Sequence, residues 1–163
     1  MIRKAKIKDV PQIVQLINHF AQQGQMLGRP LIELYEHIRS FVVAEADGKI
    51  VGCASLAVVW SDIGEIRSIA VHPDYQHRGY GRRMVEVLLN EARLLALPRV
   101  FCLTYKPEFF KKLGFRDIDK HELPHKVWRD CINCPKFPDC DEVALIIDVP
   151  ENGNGNPAAD SKN

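Results

Sequence analysis

The stretch AVHPDYQHRGYGRRMVEVLLNEA, Ala70–Ala92, decides how this chain is read. The end of an apolar strand runs into a loop with two glycines and several basic groups, then straight into an amphipathic helix. Gln76-His77-Arg78-Gly79-Tyr80-Gly81 makes a Q-x-x-G-x-G pattern. Backbone N–H groups at a helix N-terminus point outward unsatisfied, and the helix dipole favours negative charge there. Glycine lets a ligand approach the backbone closely, because no Cβ stands in the way. Arg78, Arg82 and Arg83 add positive charge. These residues describe an anion cradle whose expected guest is a pyrophosphate. A solvated strand-to-helix turn is the plainer alternative for a bare G-x-G. With no G-K-[S/T] and no G-x-G-x-x-G, Walker and Rossmann readings fail on spacing.

Outward from the loop, GEIRSIAV reads as a partly buried strand. Arg82 to Leu97 reads as a long helix, with Met84, Val85, Leu88, Leu89, Ala92 and Leu95 at helical spacing. Upstream, FVVAEADGKIVGCASLAVVW is a hairpin turning at Asp47-Gly48. MIRKAKI opens the chain as a short strand. Asp9 is the expected N-cap of a helix through about Gln23, with Pro11 in its first turn and Ile13, Leu16, Ile17 and Phe20 as its apolar stripe. A second short helix follows Pro30. Downstream come the strand VFCLTY, the short helix PEFFKKL and the closing strand EVALIIDV. A hairpin alongside strand–helix–strand crossovers implies one α/β domain with a mixed sheet over residues 1–149. The segment 150–163 lacks apolar residues and is expected to be a disordered tail.

At 163 residues the chain suits one domain with a proper core. A formal net charge of +1 gives no whole-protein field for nucleic acid or an anionic membrane. MIRKAKIKDV has no apolar signal core, and no window approaches the length of a membrane span, so a cytoplasmic location is the expectation. Five cysteines, an odd number, argue against a disulfide framework.

The loop, preceded by IRSIAVHPDY, resembles the acyl-CoA pyrophosphate loop of the GNAT acetyltransferases, Q/R-x-x-G-x-G/A. FFKKLGF, Phe109–Phe115, looks like that family's second landmark, F-Y-x-K-x-G-F. The resemblance implies a GNAT fold, a mixed central sheet flanked by helices, with acetyl-CoA in a cleft where the fourth and fifth strands splay. Pantetheine would bond along Ile69, Ala70 and Val71. The pyrophosphate would rest on the loop of Gln76, His77, Arg78, Gly79, Tyr80, Gly81 and Arg82.

Acetyl transfer from a thioester to an amine requires a base for the amine, a polarised carbonyl and a departing thiolate. Glu65, at the start of the fourth strand, is the expected base, acting through water; the alternative is a solvated charge at a strand end. It shares a face with Arg67, Ile69 and Val71 if the strand is regular, and a bulge would break that parity. Where many of the family carry a tyrosine as general acid, this chain has Phe110. Tyr105, at the end of the fifth strand, is the remaining proton donor, or the thiolate leaves unassisted.

QMLGRPLIELYEHIRSF, GEIRSIAVHPDY, VFCLTYKPEFFKKLGF and LPHKVW resemble the short, stand-alone amino-acid N-acetyltransferases of the N-acetylglutamate synthase type. The resemblance implies L-glutamate as acceptor, in arginine biosynthesis, with Arg29 and Lys106 at carboxylate-binding positions and Arg67 as a third. The basic residues taken singly also read as surface cations. Another small amine, a protein N-terminus, and an acyl-CoA-binding module without chemistry are the alternatives. A homodimer is left open as the assembly.

Within a polar loop spanning 121–142, CINCPKFPDC places Cys131, Cys134 and Cys140 in a C-x2-C-x5-C cluster. Thiolates at C-x2-C spacing can converge on one tetrahedral zinc, with His121, His125, Asp141 or water as fourth ligand. Three reduced thiols without metal are the alternative. Cys53 and Cys102, in apolar strands, read as core.

Overall fold

A computed structural model describes residues 1–26, 28–123 and 142–151. The chain divides into two compact units, Met1–Ala57 with Ile66–Leu88, and Val58–Glu65 with Leu89 onward. Among the described residues, seven strands form one mixed sheet in the order β1-β2-β3-β4-β5-β7-β6. They are β1 (Ile2–Lys4), β2 (Phe41–Ala46), β3 (Lys49–Trp60), β4 (Ile63–Val71), β5 (Arg99–Thr104), β6 (Arg116–Asp117) and β7 (Val143–Asp148). The helices are α1 (Val10–Ala21), α2 (Leu31–Glu36), α3 (Tyr80–Leu94) and α4 (Pro107–Lys111).

In the first unit, β1 pairs antiparallel with β2 from Ile2↔Ala44 to Lys4↔Val42. β2 pairs antiparallel with β3. The hairpin turn lies where the Asp-Gly signal put it. Asp47 and Gly48 have φ of 54° and 76°, the two left-handed residues of a type I′ turn. The apolar stripe of α1 is also as read: Ile13, Leu16, Ile17 and Phe20 are buried with Leu34, Phe41, Val43 and Cys53. Gly52 in β3 sits close against its neighbours. A Cβ there would meet Met84 Cε of α3 at 3.0 Å and Ala44 Cβ at 3.2 Å.

Asp9 corrects its assignment as a cap. It stands at the head of α1, but its carboxylate makes no bond to the helix. Arg3 donates to it from both terminal nitrogens, at 2.8 and 3.0 Å, and the Lys6 N–H donates at 2.7 Å. A guanidinium fork is a stronger partner than a helix N–H. The same Arg3 donates from Nε to Glu45, at 3.0 Å, beside an irregularity in β2 between Ala44 and Glu45. Arg3 holds the buried Asp9 carboxyl below the usual carboxylate range, and burial opposes that effect.

In the second unit, β4 and β5 run parallel at Gly64↔Val100 and Glu65↔Phe101. β5 pairs antiparallel with β7, and β7 with β6. Val59, Ile63, Phe101, Leu123, Ala144 and Ile146 form a separate core. The two-residue β6 is too short to show in a periodicity. α3, which begins in the first unit at Tyr80, earlier than expected, ends in the second at Leu94, leaving Leu95 56% exposed rather than on the buried stripe. Its end is a Schellman closure. Ala96 has φ 61°, its N–H donates to Arg93 O, and the Leu97 N–H donates to Ala92 O. Alanine replaces the usual glycine there, which leaves Pro98, just beyond, as the stop signal in the sequence.

Candidate functional site

The loop before α3 is held in shape by its neighbours in the first unit. Gln76 Nε2 donates to Val71 O at 3.0 Å, tying the loop to the end of β4. Tyr75 Oη donates to Asp47 Oδ2 at 2.9 Å, tying it to the hairpin turn. His77 and Gly79 both lie in the left-handed region, with φ of 64° and 87°. Alternation of this kind turns successive N–H groups toward one side, the geometry of an anion-binding nest. The N–H groups of Gly79, Tyr80, Gly81 and Arg82 donate to no acceptor among the described residues. Arg78 stacks on the Tyr75 ring at 5.2 Å, and Arg83 on Tyr80 at 5.7 Å. Arg82 is paired with Glu86 at 3.4 Å on an exposed helix face. The donors of this site are backbone groups, with arginines around them.

β4, which leads into the loop, is kinked. Ser68 has φ 55°, rare for a residue with a Cβ and characteristic of a bulged strand. The regular alternation that would put Glu65, Arg67, Ile69 and Val71 on one face is therefore interrupted. Two side chains of β3 hold the kink: Cys53 Sγ donates to Ser68 O at 3.3 Å and Ser55 Oγ to Arg67 O at 3.1 Å. Sequence reasoning missed this function of Cys53 and Ser55. A serine inside the apolar run GCASLAVV was the available signal, since a buried hydroxyl needs an acceptor.

Arg29 and Arg67 belong to the same unit. Arg29 precedes α2 and is paired with Glu33 at 3.3 Å, one helical turn along. Arg67 is half-buried, and its carbonyl is the one taken by Ser55.

Glu65, Tyr105 and Lys106 lie in the second unit. Glu65 is only 8% exposed, which corrects the alternative of a solvated strand-end charge. Burial, then the carboxylates of Glu65 and Glu142, push the Cys102 thiol above its ordinary range. Cys102 is thus a protonated core residue, as read. Tyr105 is half-buried just after β5, and Lys106 is exposed at the head of α4, where its N–H donates to Thr104 Oγ1 at 2.9 Å. Phe110 is 2% exposed and packs edge-to-face on Phe109 and Phe115, at 5.0 and 5.1 Å between ring centroids. It is a core residue.

Cys131, Cys134 and Cys140, with His125 and Asp141, lie outside the described residues. Among the described residues no three His, Cys, Asp or Glu side chains gather as a metal group. No described helix is long and apolar enough to cross a membrane.

The acetyltransferase (GNAT) family model matches residues 11–115, and the chain belongs to that family. An uncharacterized N-acetyltransferase of Chlorobaculum tepidum is 38% identical over 148 residues, 89% of this chain and 94% of the relative. An amino-acid acetyltransferase of Mycobacterium tuberculosis is 45% identical over 122 residues, 73% of this chain and 70% of the relative. Among solved structures, the N-acetylglutamate synthase of Neisseria gonorrhoeae, complexed with coenzyme A and N-acetyl-glutamate, superposes with a TM-score of 0.84 at 32% identity. That match covers 92% of this chain and 35% of the synthase, so this chain spans about a third of that enzyme. The mixed sheet with its flanking helices is the GNAT fold. The chain is an acetyltransferase of this class.

Proposed function

We propose that this chain moves the acetyl group of acetyl-CoA to the α-amine of L-glutamate, the first step of arginine biosynthesis, in the cytoplasm. The observation that carries the reading is the loop Gln76–Arg82, whose unsatisfied N–H groups and left-handed His77 and Gly79 suit a pyrophosphate. The acceptor is supported by the names of relatives: an amino-acid acetyltransferase, and a synthase solved with N-acetyl-glutamate.

The pyrophosphate rests on the loop and the pantetheine runs along Ile69 to Val71. Glu65, earlier on the same strand, takes the amine proton through a water molecule. The amine lone pair then attacks the thioester carbonyl, the C–S bond breaks as the tetrahedral intermediate collapses, and the new amide nitrogen gives up its second proton to solvent. CoA leaves as thiolate, with Tyr105 as the group that protonates it. Placing both reactants in line supplies on the order of 7 kcal/mol of the acceleration. Arg29, Arg67 and Lys106 are the cations that read the two carboxylates of glutamate.

An assay of CoA release against the twenty amino acids tests this reading. Glutamate should be turned over in preference to glutamine and aspartate. Equal turnover of glutamate and glutamine would show that no group reads the side-chain charge, and would overturn the assignment of the acceptor.

A further inference from the structure

The kink at Ser68 has two unusual features. A left-handed serine inside a strand carries a steric cost of about 1–2 kcal/mol that glycine would not. The carbonyls of Arg67 and Ser68, successive in the chain, are both reached by side chains of β3. In a regular strand successive carbonyls point to opposite edges. The left-handed turn at Ser68 swings the second one to the side of the first. Each carbonyl there meets a side-chain donor, one from Ser55 and one from Cys53.

Cys53 does more than donate. Its sulfur also receives the Ala70 N–H. Ser68 O and Ala70 N–H flank Ile69, so one side chain spans that residue. Because N–H and C=O of an extended residue point opposite to the groups flanking it, the backbone pair of Ile69 is directed away from β3. The thiol can serve as a standing donor. Cys53 is fully buried, and burial pushes its pKa up to about 12, so the proton it gives to Ser68 O stays in place at neutral pH.

We propose that Cys53 and Ser55 are positioning residues for acyl-CoA: by holding the Arg67 and Ser68 carbonyls and the Ala70 N–H, they aim the backbone pair of Ile69 at the pantetheine. This rests on the acyl-CoA reading of the preceding subsection. The residues touch neither cofactor nor acceptor and act through the strand.

The test compares two ligands. CoA carries the pantetheine arm, whereas adenosine 3′,5′-bisphosphate lacks it. Cys53→Ala and Ser55→Ala should each weaken CoA several-fold, measured by calorimetry on protein shown to be folded by its urea transition. Affinity for adenosine 3′,5′-bisphosphate should stay within about twofold, because the loop is untouched. Cys53→Ser, which keeps a donor at that position, should restore most of the CoA affinity. Equal weakening of both ligands would overturn the proposal, since that is the signature of a merely structural role. Unchanged CoA affinity in all three variants would also overturn it while leaving the acyl-CoA reading intact. If the unaltered protein bound no CoA, the acyl-CoA reading itself would fall, and this proposal with it. Should Cys53→Ala fail to fold, Cys53→Ser and Ser55→Ala still decide.

Discussion

As proposed, the anion loop and the basic trio would be two ways of building affinity for a negative group. In the loop the donors are backbone N–H groups, held by two left-handed residues and pinned at both sides by Gln76 and Tyr75. Their direction is set before any ligand arrives. In the trio the donors are long side chains. Arg29 is engaged with Glu33, and Lys106 is exposed. A ligand there must reorganise the cations it meets and offset their rotamer entropy. Preformed backbone sites should therefore be sensitive to shape, and side-chain sites to charge.

The largest expected effect is on the loop. Gly79→Val and Gly81→Val should each abolish CoA binding in calorimetry, because a branched side chain blocks backbone approach. Stability should tell them apart. Gly79 is left-handed, so valine there costs about 1–2 kcal/mol in folding. Gly81 lies in the first turn of α3 with no positive φ, so valine there should change stability by only about 0.5 kcal/mol or less. Normal CoA affinity in folded Gly81→Val would break the assignment of the loop as a pyrophosphate site.

Next in size is Glu65→Gln, which should lower kcat by about 100-fold at neutral pH and leave acetyl-CoA KM little changed. The loss should shrink at high pH, where the free amine is already neutral. A change under about threefold would make the buried carboxylate structural.

Smaller is Arg29→Ala. An ion pair partly open to solvent is worth less than a buried one, and Arg29 begins paired with Glu33. A rise of roughly tenfold in glutamate KM is expected, with acetyl-CoA KM constant. Equal changes in both would remove the contrast between charge-reading and shape-reading sites.

The smallest effect on the reaction is at Asp9, which belongs to neither the loop nor the trio. Asp9→Asn should leave kcat and KM at pH 7 unchanged and lower stability by about 1.5–3 kcal/mol, the worth of hydrogen bonds to a charged group. The folded pKa of Asp9 is depressed, so its contribution is present above the ordinary value of 3.8 and is lost as pH falls below that toward the folded value. Urea midpoints between pH 6 and 3 should fall for the unaltered protein and be flatter for Asp9→Asn.

What the sequence revealed follows the same division. The Asp47-Gly48 turn, the α1 stripe and the Q-x-x-G-x-G loop were legible because local backbone demands leave local residue signatures. Ser68 was not legible, since serine gives no sign of a left-handed φ, and its supports lie on another strand. Glu65 does lie near the start of its strand, as read, but its burial was not foreseen, because burial is decided by chain segments far along the sequence. The end of α3 was misplaced for want of a glycine at Ala96. Arg29 was singled out by resemblance, and its partner Glu33 was overlooked although it stands one turn away.

The four unsatisfied amides at the head of α3 also make a natural reporter. With no acceptor, Gly79, Tyr80, Gly81 and Arg82 should trade their protons with deuterated solvent far faster than the amides of Met84 onward, which lie within the helix. Saturation with CoA should slow those same few positions and leave Ile13 or Phe20 as they were. Occupancy of the cradle would then be visible in the isotope pattern of one short peptide, without any reaction taking place.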